Sequence, residues 1–397
     1  MSLPEPGSPA YAQQVALELA AELPDVLTSG RLFDSIRGVE SKLRLVETPN
    51  ALEALTRFIQ FEITSTAALR AVAQAAANTD GQLAATCSET VCLKIVKVPG
   101  LLEAVVERLE TDVDAVRVIN NLAANCIDCA RLFIQVPGSI QALKECSKKY
   151  KLHAFGVINH LSRCPDVSKI LLRERFVEDI LLPALQARCD TSSSESEATI
   201  ARGTLALANL TGMNNQVCPQ ANGFALRTIV KVLEYAIRGE RFATITWLPP
   251  AVLFGLRNMT TNKKNVVLLI KYGLAGVIAG LGNMWDQKSG TNTLELAMDC
   301  ITHISQVNSC IQSLWDAGIV RALQNISAGS RGESVVAICD AERLVNLLLQ
   351  RHVAVCMGQH RRMGADSLLL LLDDAVLYKI LLFAFGSPAG SQVTTSL

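Results

Sequence analysis

The sequence predicts an all-α protein built of stacked helical repeats, and three observations support this fold class. At 397 residues the chain is longer than one ordinary domain, and 50% of its residues are apolar while only 5% are aromatic, which suits a core of closely packed helices. A short helix-end motif recurs along the chain. Strand patterns, in which apolar and polar residues alternate between hairpin turns, do not recur.

The recurring motif is an apolar helical segment that ends in a polar residue followed by a second apolar residue. The polar residue is Gln, Asn or His, and successive copies are about 39 to 49 residues apart, a spacing typical of helical repeats. Its seven positions are Gln74, Asn121, His160, Asn209, Asn258, His303 and Asn346.

A second landmark is a glycine that precedes an apolar segment inside most of the repeats. Glycine is favoured at a sharp corner between helices because such corners often need a positive φ. In the fourth repeat Arg175 stands where the glycine is expected. The two landmarks together predict a sharp corner between helices and a helix end in each repeat. The glycines are Gly100, Gly138, Gly223, Gly273, Gly318 and Gly364.

A short helix, a turn glycine, a second apolar helix and a third helix that ends in Asn-Leu-Ser/Thr resemble the armadillo repeat. The resemblance covers roughly residues 50 to 385, and HEAT repeats are the architecture most easily confused with it. It implies a right-handed superhelical solenoid of about seven three-helix repeats. We expect an N-terminal helical cap at residues 1–48, the repeat array at 49–385 and a flexible tail at 386–397.

The resemblance also implies that the third helices line a concave groove, where the recurring Asn can bond to the backbone of an extended peptide. An amide suits this role because it offers both a donor and an acceptor. The alternative is that these side chains satisfy backbone groups at neighbouring helix ends. The groove role is expected first for Asn121, Asn209 and Asn258, and only second for Gln74, His160, His303 and Asn346.

The position four residues earlier lies on the same face of each third helix. Its residues are basic, then small or apolar, then acidic, which predicts a groove with a positive N-terminal end and a negative C-terminal end. Since the resemblance implies antiparallel ligands, a partner segment should run basic, apolar, acidic from its own N-terminus. No Trp occupies this position, so the Trp/Asn ladder of importin-α-like cargo receptors is not expected. The residues are Arg70, Arg117, Gly156, Leu205, Phe254, Asp299 and Glu342.

Four polar or Gly/Ser-rich stretches account for the longer repeat spacings. Each is expected between a second and a third helix, so the four should lie along one edge of the array. They are interpreted as solvated loops, with a second contact surface as the alternative. The stretches are Cys189 to Ser196, Arg238 to Arg241, Asp286 to Asn292 and Ala328 to Glu333.

Charge and motifs argue against several other functions. The 37 basic residues equal the 37 acidic ones, so the chain lacks the basic field that non-specific nucleic-acid binding needs. Cys126 and Cys129 form a single Cys-x-x-Cys without the second pair that a structural zinc site needs, and core packing is expected for both. Zinc-protease, phosphate-loop and nucleophile-elbow motifs are missing from the sequence. We therefore expect no enzyme, no cofactor and no metal.

The location and the termini give weaker expectations. No secretory signal is visible at the N-terminus, which favours a cytoplasmic protein, with a nuclear location also open. The apolar stretch from Leu368 to Phe385 contains three charged residues, so no membrane span is expected. The C-terminal Thr395-Ser396-Leu397 fits a PDZ-ligand pattern, or else belongs to an unstructured tail.

The function that follows is a scaffold or adaptor that binds an extended segment of a protein partner in the concave groove. Two alternatives stay open: a regulator of a small GTPase, and a structural component of a cytoskeletal or ciliary assembly. An enzyme is the rival class. The identity of the partner, the cellular process and the oligomeric state are not predicted.

Overall fold

The computed structural model describes residues 39–47, 50–60, 62–77, 85–186, 194–212, 224–243, 245–284, 291–328 and 335–359. Within these ranges the chain is helical apart from one short hairpin, which confirms the predicted all-α class. It divides into two compact units, Met1–Thr191 and Ser192–Leu397, and each is described by itself. Residues 1–38 and 360–397 lie outside the described part, so the extent of the cap and of the tail stays a prediction. Residues 39–47, which were assigned to the cap, form the first helix of the first repeat described below.

The first unit contains three complete three-helix repeats and the first two helices of a fourth. Its third helices stack in order, with α6 between α3 and α9, and its second helices α2, α5 and α8 form a neighbouring row. The elements are α1 (Val39–Glu47), α2 (Ala51–Gln60), α3 (Glu62–Ala76), α4 (Ala85–Val96), α5 (Leu101–Arg108), α6 (Val113–Asn125), α7 (Ile127–Gln135), α8 (Ser139–Lys149), α9 (Lys151–Leu161), α10 (Pro165–Arg173), a π-helix (Val177–Leu181) and α11 (Leu182–Gln186).

The second unit continues the same order of helices. Its third helices α12, α14, α17 and α20 stack on one another, and its second helices α13, α16 and α19 form the neighbouring row. The elements are α12 (Ser194–Gly212), α13 (Phe224–Arg238), β1 (Arg241–Phe242), β2 (Ile245–Thr246), α14 (Pro249–Thr260), α15 (Lys263–Lys271), α16 (Leu274–Met284), α17 (Thr291–Ser305), α18 (Asn308–Asp316), α19 (Ile319–Ser327) and α20 (Val335–Gln359).

Most side chains of the third helices are buried against the neighbouring helices. In α6, for example, Val118, Ile119 and Leu122 are buried, and only one stripe of the helix reaches solvent. This burial between successive repeats is the expected source of stability in a repeat protein, because each repeat contacts only its neighbours.

The corners between first and second helices have the predicted positive φ. Gly100, Gly138, Gly273 and Gly318 have φ angles of 77°, 79°, 90° and 77°. Arg175 adopts the same conformation, with φ 61°, although it carries a side chain. In the first repeat Asn50 occupies this corner, with φ 60°, and this was not predicted from the sequence. Gly223 and Gly364 lie outside the described residues.

Arg175→Gly is expected to raise the free energy of unfolding by about 1 kcal/mol, because an L-residue in the left-handed region costs roughly 1–2 kcal/mol and glycine regains part of it. Removing the Arg175 side chain should cost little stability, because its ion pair, from Nε to Asp179 Oδ1 at 3.4 Å, is exposed to solvent. Urea denaturation followed by circular dichroism measures the change. Gly138→Ala is the matched control and should lower stability, since a Cβ there meets no atom within 4 Å and only φ opposes it. A lower stability for Arg175→Gly would contradict the assignment.

The loop predicted from Arg238 to Arg241 is partly wrong, because Arg241 begins a two-stranded antiparallel hairpin. Arg241 pairs with Thr246 and Phe242 pairs with Ile245. Phe242 is buried and its ring contacts Tyr235 edge-on, with centroids 5.4 Å apart. Two residues per strand are too few for an alternation that the sequence could reveal. The other three predicted loops lie largely outside the described residues, so the proposed common edge is untested.

A helix that crosses a bilayer needs about 20 mainly apolar residues. No single described helix is long and apolar enough to do so. One bent pair, Lys263–Lys271 with Leu274–Leu281 at 79°, passes on length and composition alone. The stretch from Leu368 to Phe385 lies outside the described part.

Candidate functional site

The solvent-exposed positions of the third helices form the candidate site, and we call them the third-helix face. Ten of the thirteen predicted groove residues lie on it, exposed or half-buried, while the remaining three are buried in the second unit. The ten are Arg70 and Gln74 on α3, Arg117 and Asn121 on α6, His160 on α9, Phe254 on α14, Asp299 and His303 on α17, and Glu342 and Asn346 on α20.

An ion cluster connects the faces of α3 and α6 in the first unit. Arg70 Nε donates to Asp114 Oδ2 at 2.7 Å, and Arg117 Nη1 donates to Asp114 Oδ1 at 3.1 Å. Asp114 is only 2% exposed, whereas the two arginine side chains are 55% and 49% exposed. The hydrogen bond that Arg70 donates to Asp114 raises the pKa of Arg70, and the nearby Asp112 carboxylate raises it further. The Asp114 carboxylate therefore fixes two partly exposed guanidinium groups, and Asp112 adds a second negative charge beside them.

Asp114 was not predicted as a site residue, although its spacing of three residues from Arg117 could have revealed their ion pair. Oppositely charged residues three apart on a helix are neighbours on its surface. The contact with Arg70 could not be read in the same way, because the two residues are 44 positions apart.

Asn121 contacts the end of the preceding third helix. Its Nδ2 donates to the carbonyl of Ala73 at 2.8 Å, and Asn125 Nδ2 donates to the carbonyl of Ala76 at 2.8 Å. Both carbonyls belong to the last turn of α3, where backbone acceptors have no partner within the helix. One Asn121 donor thus has the helix-end role that was the alternative to ligand binding. The second N–H of its amide has no partner among the described residues.

In the second unit Asn209 and Asn258 are buried, at 0% and 6% exposure. Asn258 Nδ2 lies 3.4 Å from Asn209 Oδ1 and donates to it, which joins α12 to α14. This bond joins two side chains, so it differs from the predicted alternative, in which such residues satisfy backbone groups at helix ends, and the role of both residues in partner binding stays a prediction. Leu205 is 1% exposed, so the prediction that it lines the groove is wrong for this structure.

Two glycines cause this burial by letting α12 and α14 approach closely. A Cβ on Gly255 would lie 3.2 Å from Leu205 Cδ2 and 3.4 Å from Asn209 Oδ1. A Cβ on Gly212 would lie 2.5 Å from the carbonyl carbon of Asn258, closer than such atoms can pack. With no side chain at either position, the two helices close over the residues that were predicted to face a ligand.

His303 braces α17 against α14. The Thr260 hydroxyl donates to the carbonyl of Arg257 at 2.9 Å, and its oxygen lies 3.1 Å from His303 Nδ1. Which of the two groups donates in the contact between His303 Nδ1 and Thr260 depends on the tautomer of the ring. Burial lowers the pKa of His303, which favours the neutral ring.

The exposed charges on α17 and α20 are mainly acidic. Asp299 Oδ2 lies 3.7 Å from Arg257 Nη1, and the Arg257 guanidinium lies 5.2 Å from the centroid of the Phe254 ring. Glu295 and Glu342 are exposed and have no cationic partner among the described residues. The predicted acidic residues Asp299 and Glu342 thus lie on adjacent third helices of the second unit.

Side chains of one repeat cap the third helix of the preceding repeat at two interfaces among the described residues. Asn121 and Asn125 form the first, and the second joins α20 to α17. There Arg351 Nη1 donates to the carbonyl of Ser305 at the end of α17. We call these contacts the inter-repeat caps. Of the residues in the recurring helix-end motif, Asn121 forms such a cap. The Thr261 hydroxyl donates its one proton to the carbonyl of Asn258 at 2.7 Å and so does not cap the carbonyl of Gly212, which lies 3.4 Å away.

The two cysteines of the Cys-x-x-Cys pair, Cys126 and Cys129, are buried together with Cys92. Burial raises the pKa of Cys92 to about 12 and also raises that of Cys129. The thiols of Cys92 and Cys129 are therefore protonated near neutral pH and behave as small apolar side chains. Within the described residues no group of three or more His, Cys, Asp and Glu side chains could hold a metal ion.

Solved structures similar to this chain include an engineered protein from a structural genomics consortium, at 15% identity and TM-score 0.48, covering 95% of this chain and 94% of that one. A structure from work on the cadherin and β-catenin interaction matches at 15% identity and TM-score 0.48, covering 87% and 68%. A designed armadillo repeat protein in complex with the peptide (KR)4 matches at 17% identity and TM-score 0.34, covering 76% and 98%.

No family model matches the sequence, and no curated protein is significantly similar to it. Because the TM-scores above are below 0.5, we base the fold on the order and packing of the described helices. Three helices per repeat, a left-handed corner between the first two and direct stacking of the third helices are all present. The described residues therefore form an all-α, armadillo-like repeat fold.

Proposed function

We propose that this chain is a protein-binding scaffold whose third-helix face holds an extended segment of a partner. One observation supports it most strongly: in each unit two neighbouring third helices present equivalent positions to solvent with charges of one sign. These positions hold Arg70 and Arg117 in the first unit, and Asp299 and Glu342 in the second. Such a row suits an elongated ligand, because it repeats one contact from each helix to the next.

In the first unit the face suits an acidic segment. Asp114 uses one nitrogen of Arg70 and one of Arg117, so each guanidinium keeps further N–H donors. Guanidinium groups that are already fixed lose less side-chain freedom when they bind a carboxylate. The spare donor of Asn121 lies on the same helix and could bond to the partner's backbone.

In the second unit the face suits a basic segment. Glu295 and Glu342 offer carboxylates without cationic partners among the described residues, and Asp299 is shared with Arg257. Phe254 adds a half-buried ring beside them. Asn209, Asn258 and Leu205 have no part in the proposal, since they are buried.

Reversing the two unpaired carboxylates in Glu295→Lys/Glu342→Lys should abolish capture of at least one partner or weaken its binding at least tenfold. Neither residue forms an ion pair in the described structure, so folding should be unaffected, and the melting temperature checks this. Affinity purification with the full chain and mass spectrometry identifies the partners, and titration of each purified partner gives the affinity.

The control for this experiment is Glu240→Lys/Asp316→Lys, which makes the same change of charge at exposed positions off the third-helix face. Partners kept by the control and lost by the variant are ligands of the face. An identical set of partners and affinities for both proteins would sink the proposal. Arg117→Glu is the corresponding test in the first unit.

The proposal assigns no catalysis to the chain and leaves its cytoplasmic or nuclear location as a prediction. Regulation of a small GTPase and a cytoskeletal or ciliary role also stay predictions, because no feature of the described residues favours either. The C-terminal Thr395-Ser396-Leu397 lies outside those residues, so its PDZ pattern is untested.

A further inference from the structure

A second concave surface lies between the second helices α13 and α16 of the second unit, away from the third-helix face. Its volume is about 580 Å³. Arg227, Lys231 and Arg238 line the α13 side, and Gly276 and Gly280 line the α16 side. We call this surface the basic groove. The basic groove was not predicted, because the two helices are distant along the chain.

Two cations of the basic groove lack a counter-charge. The Arg227 guanidinium lies 5.3 Å from the centroid of the Tyr272 ring, and Lys231 Nζ lies 5.4 Å from that of Phe242. Neither Arg227 nor Lys231 has a carboxylate partner in the described part of the chain, whereas Arg238 is paired with Glu234. Aromatic faces attract cations and thereby help to position them. The groove therefore presents two unpaired positive charges on a chain whose net charge is zero.

The opposite side of the basic groove is open because it lacks side chains. A Cβ on Gly276 or on Gly280 would meet no atom within 4 Å. Glycine within a helix costs about 1 kcal/mol relative to alanine. The two glycines thus leave the space between the helices open at a cost in the stability of α16. Alanine would also fit at both positions, so close packing does not require glycine there.

We propose that the basic groove binds an extended acidic segment of a partner protein, with acidic side chains at alternate positions. Arg227 and Lys231 are four residues apart on α13, or about 6 Å along the helix axis. Side chains two residues apart on an extended chain are separated by about 6.6 Å and point the same way. Two carboxylates of an acidic-x-acidic sequence therefore match the two cations.

The residue between the two acidic side chains points to the other side of the groove. There it meets Gly276, Val277 and Gly280, where an apolar side chain has room and an apolar neighbour. From Arg227 to Arg238 the groove wall is about 16 Å long, which holds roughly five extended residues. The best ligand is thus a short acidic segment with apolar residues at alternate positions.

The test is binding of a fluorescein-labelled peptide of alternating Glu and Val residues to the full chain, measured by fluorescence anisotropy at low salt. Arg227→Glu/Lys231→Glu should weaken binding at least tenfold. Gly276→Leu should also weaken it at least tenfold by filling the groove, without lowering the melting temperature. Lys263→Glu/Lys264→Glu, an equal change of charge at exposed positions on α15, should change the affinity less than twofold.

Other results of this experiment would overturn the proposal. Equal weakening by the Lys263/Lys264 variant would mean non-specific attraction. A lower melting temperature for Gly276→Leu would mean that another part of this chain occupies the groove. Binding of phosphatidylserine vesicles but not of the peptide, lost in Arg227→Glu/Lys231→Glu, would replace the peptide with a membrane surface. Glu295→Lys/Glu342→Lys should leave the peptide affinity unchanged, which separates this inference from the proposed function.

Discussion

Gly212→Ala is expected to lower the free energy of unfolding by about 3 kcal/mol, near the upper end for overpacking a tight interface. The added Cβ would lie 2.5 Å from the carbonyl carbon of Asn258 and 2.7 Å from its Cβ. Neither contact involves the far end of a flexible side chain, so relief requires α12 and α14 to separate. Urea denaturation followed by circular dichroism measures the loss, and thermal unfolding should show a lower melting temperature.

Gly280→Ala is the matched control, because the same substitution should there have the opposite sign. Its Cβ meets open space within α16, and alanine is favoured over glycine in a helix by about 1 kcal/mol. An unchanged or higher stability for Gly212→Ala would show that α12 and α14 are not held in the close contact described.

The buried amides of Asn209 and Asn258 should each contribute about 2 kcal/mol to stability, since a buried polar group that loses its partner costs roughly 1–3 kcal/mol. Asn209→Ala and Asn258→Ala are therefore expected to destabilise the second unit strongly. The double variant should lose about 1 kcal/mol less than the sum of the single losses, because the two side chains share a hydrogen bond. Denaturation of all four proteins completes the cycle.

Asn121→Ala gives the comparison within the first unit. Asn121 is half-buried, and the Ala73 carbonyl that it caps can be solvated, so the expected loss is smaller, about 1 kcal/mol. If neither Asn209→Ala nor Asn258→Ala lowered stability, both residues would return to the candidate ligand contacts.

The repeat could be predicted from sequence because its landmarks are local. The spacing of the helix-end motif located the third helix of each repeat. Four corner glycines have the expected positive φ. Arg175 and Asn50 adopt the same conformation without glycine, so the composition of a corner is a weaker guide than its place in the repeat. The hairpin at Arg241 to Thr246 escaped prediction because two pairs of residues form no pattern.

The candidate site was only partly predictable, because exposure depends on how closely neighbouring helices pack. The motif correctly placed Asn121, Asn209 and Asn258 at equivalent positions of their repeats. However, Gly212 and Gly255 bring α12 and α14 together, and this close packing buries Asn209 and Asn258. The basic groove was beyond prediction for a related reason, since Arg227 and Gly276 meet only in the folded unit.

The inter-repeat caps give the coupling between repeats a direction. Amide and guanidinium groups on the C-terminal side of an interface satisfy carbonyls on its N-terminal side. Truncation after α6 would leave the caps on α3 intact, whereas truncation before α6 would return those carbonyls to water. Loss of a repeat from the C-terminal end thus uncaps the third helix before it, whereas a repeat added at that end brings its own donors to carbonyls that lack a partner within their helix.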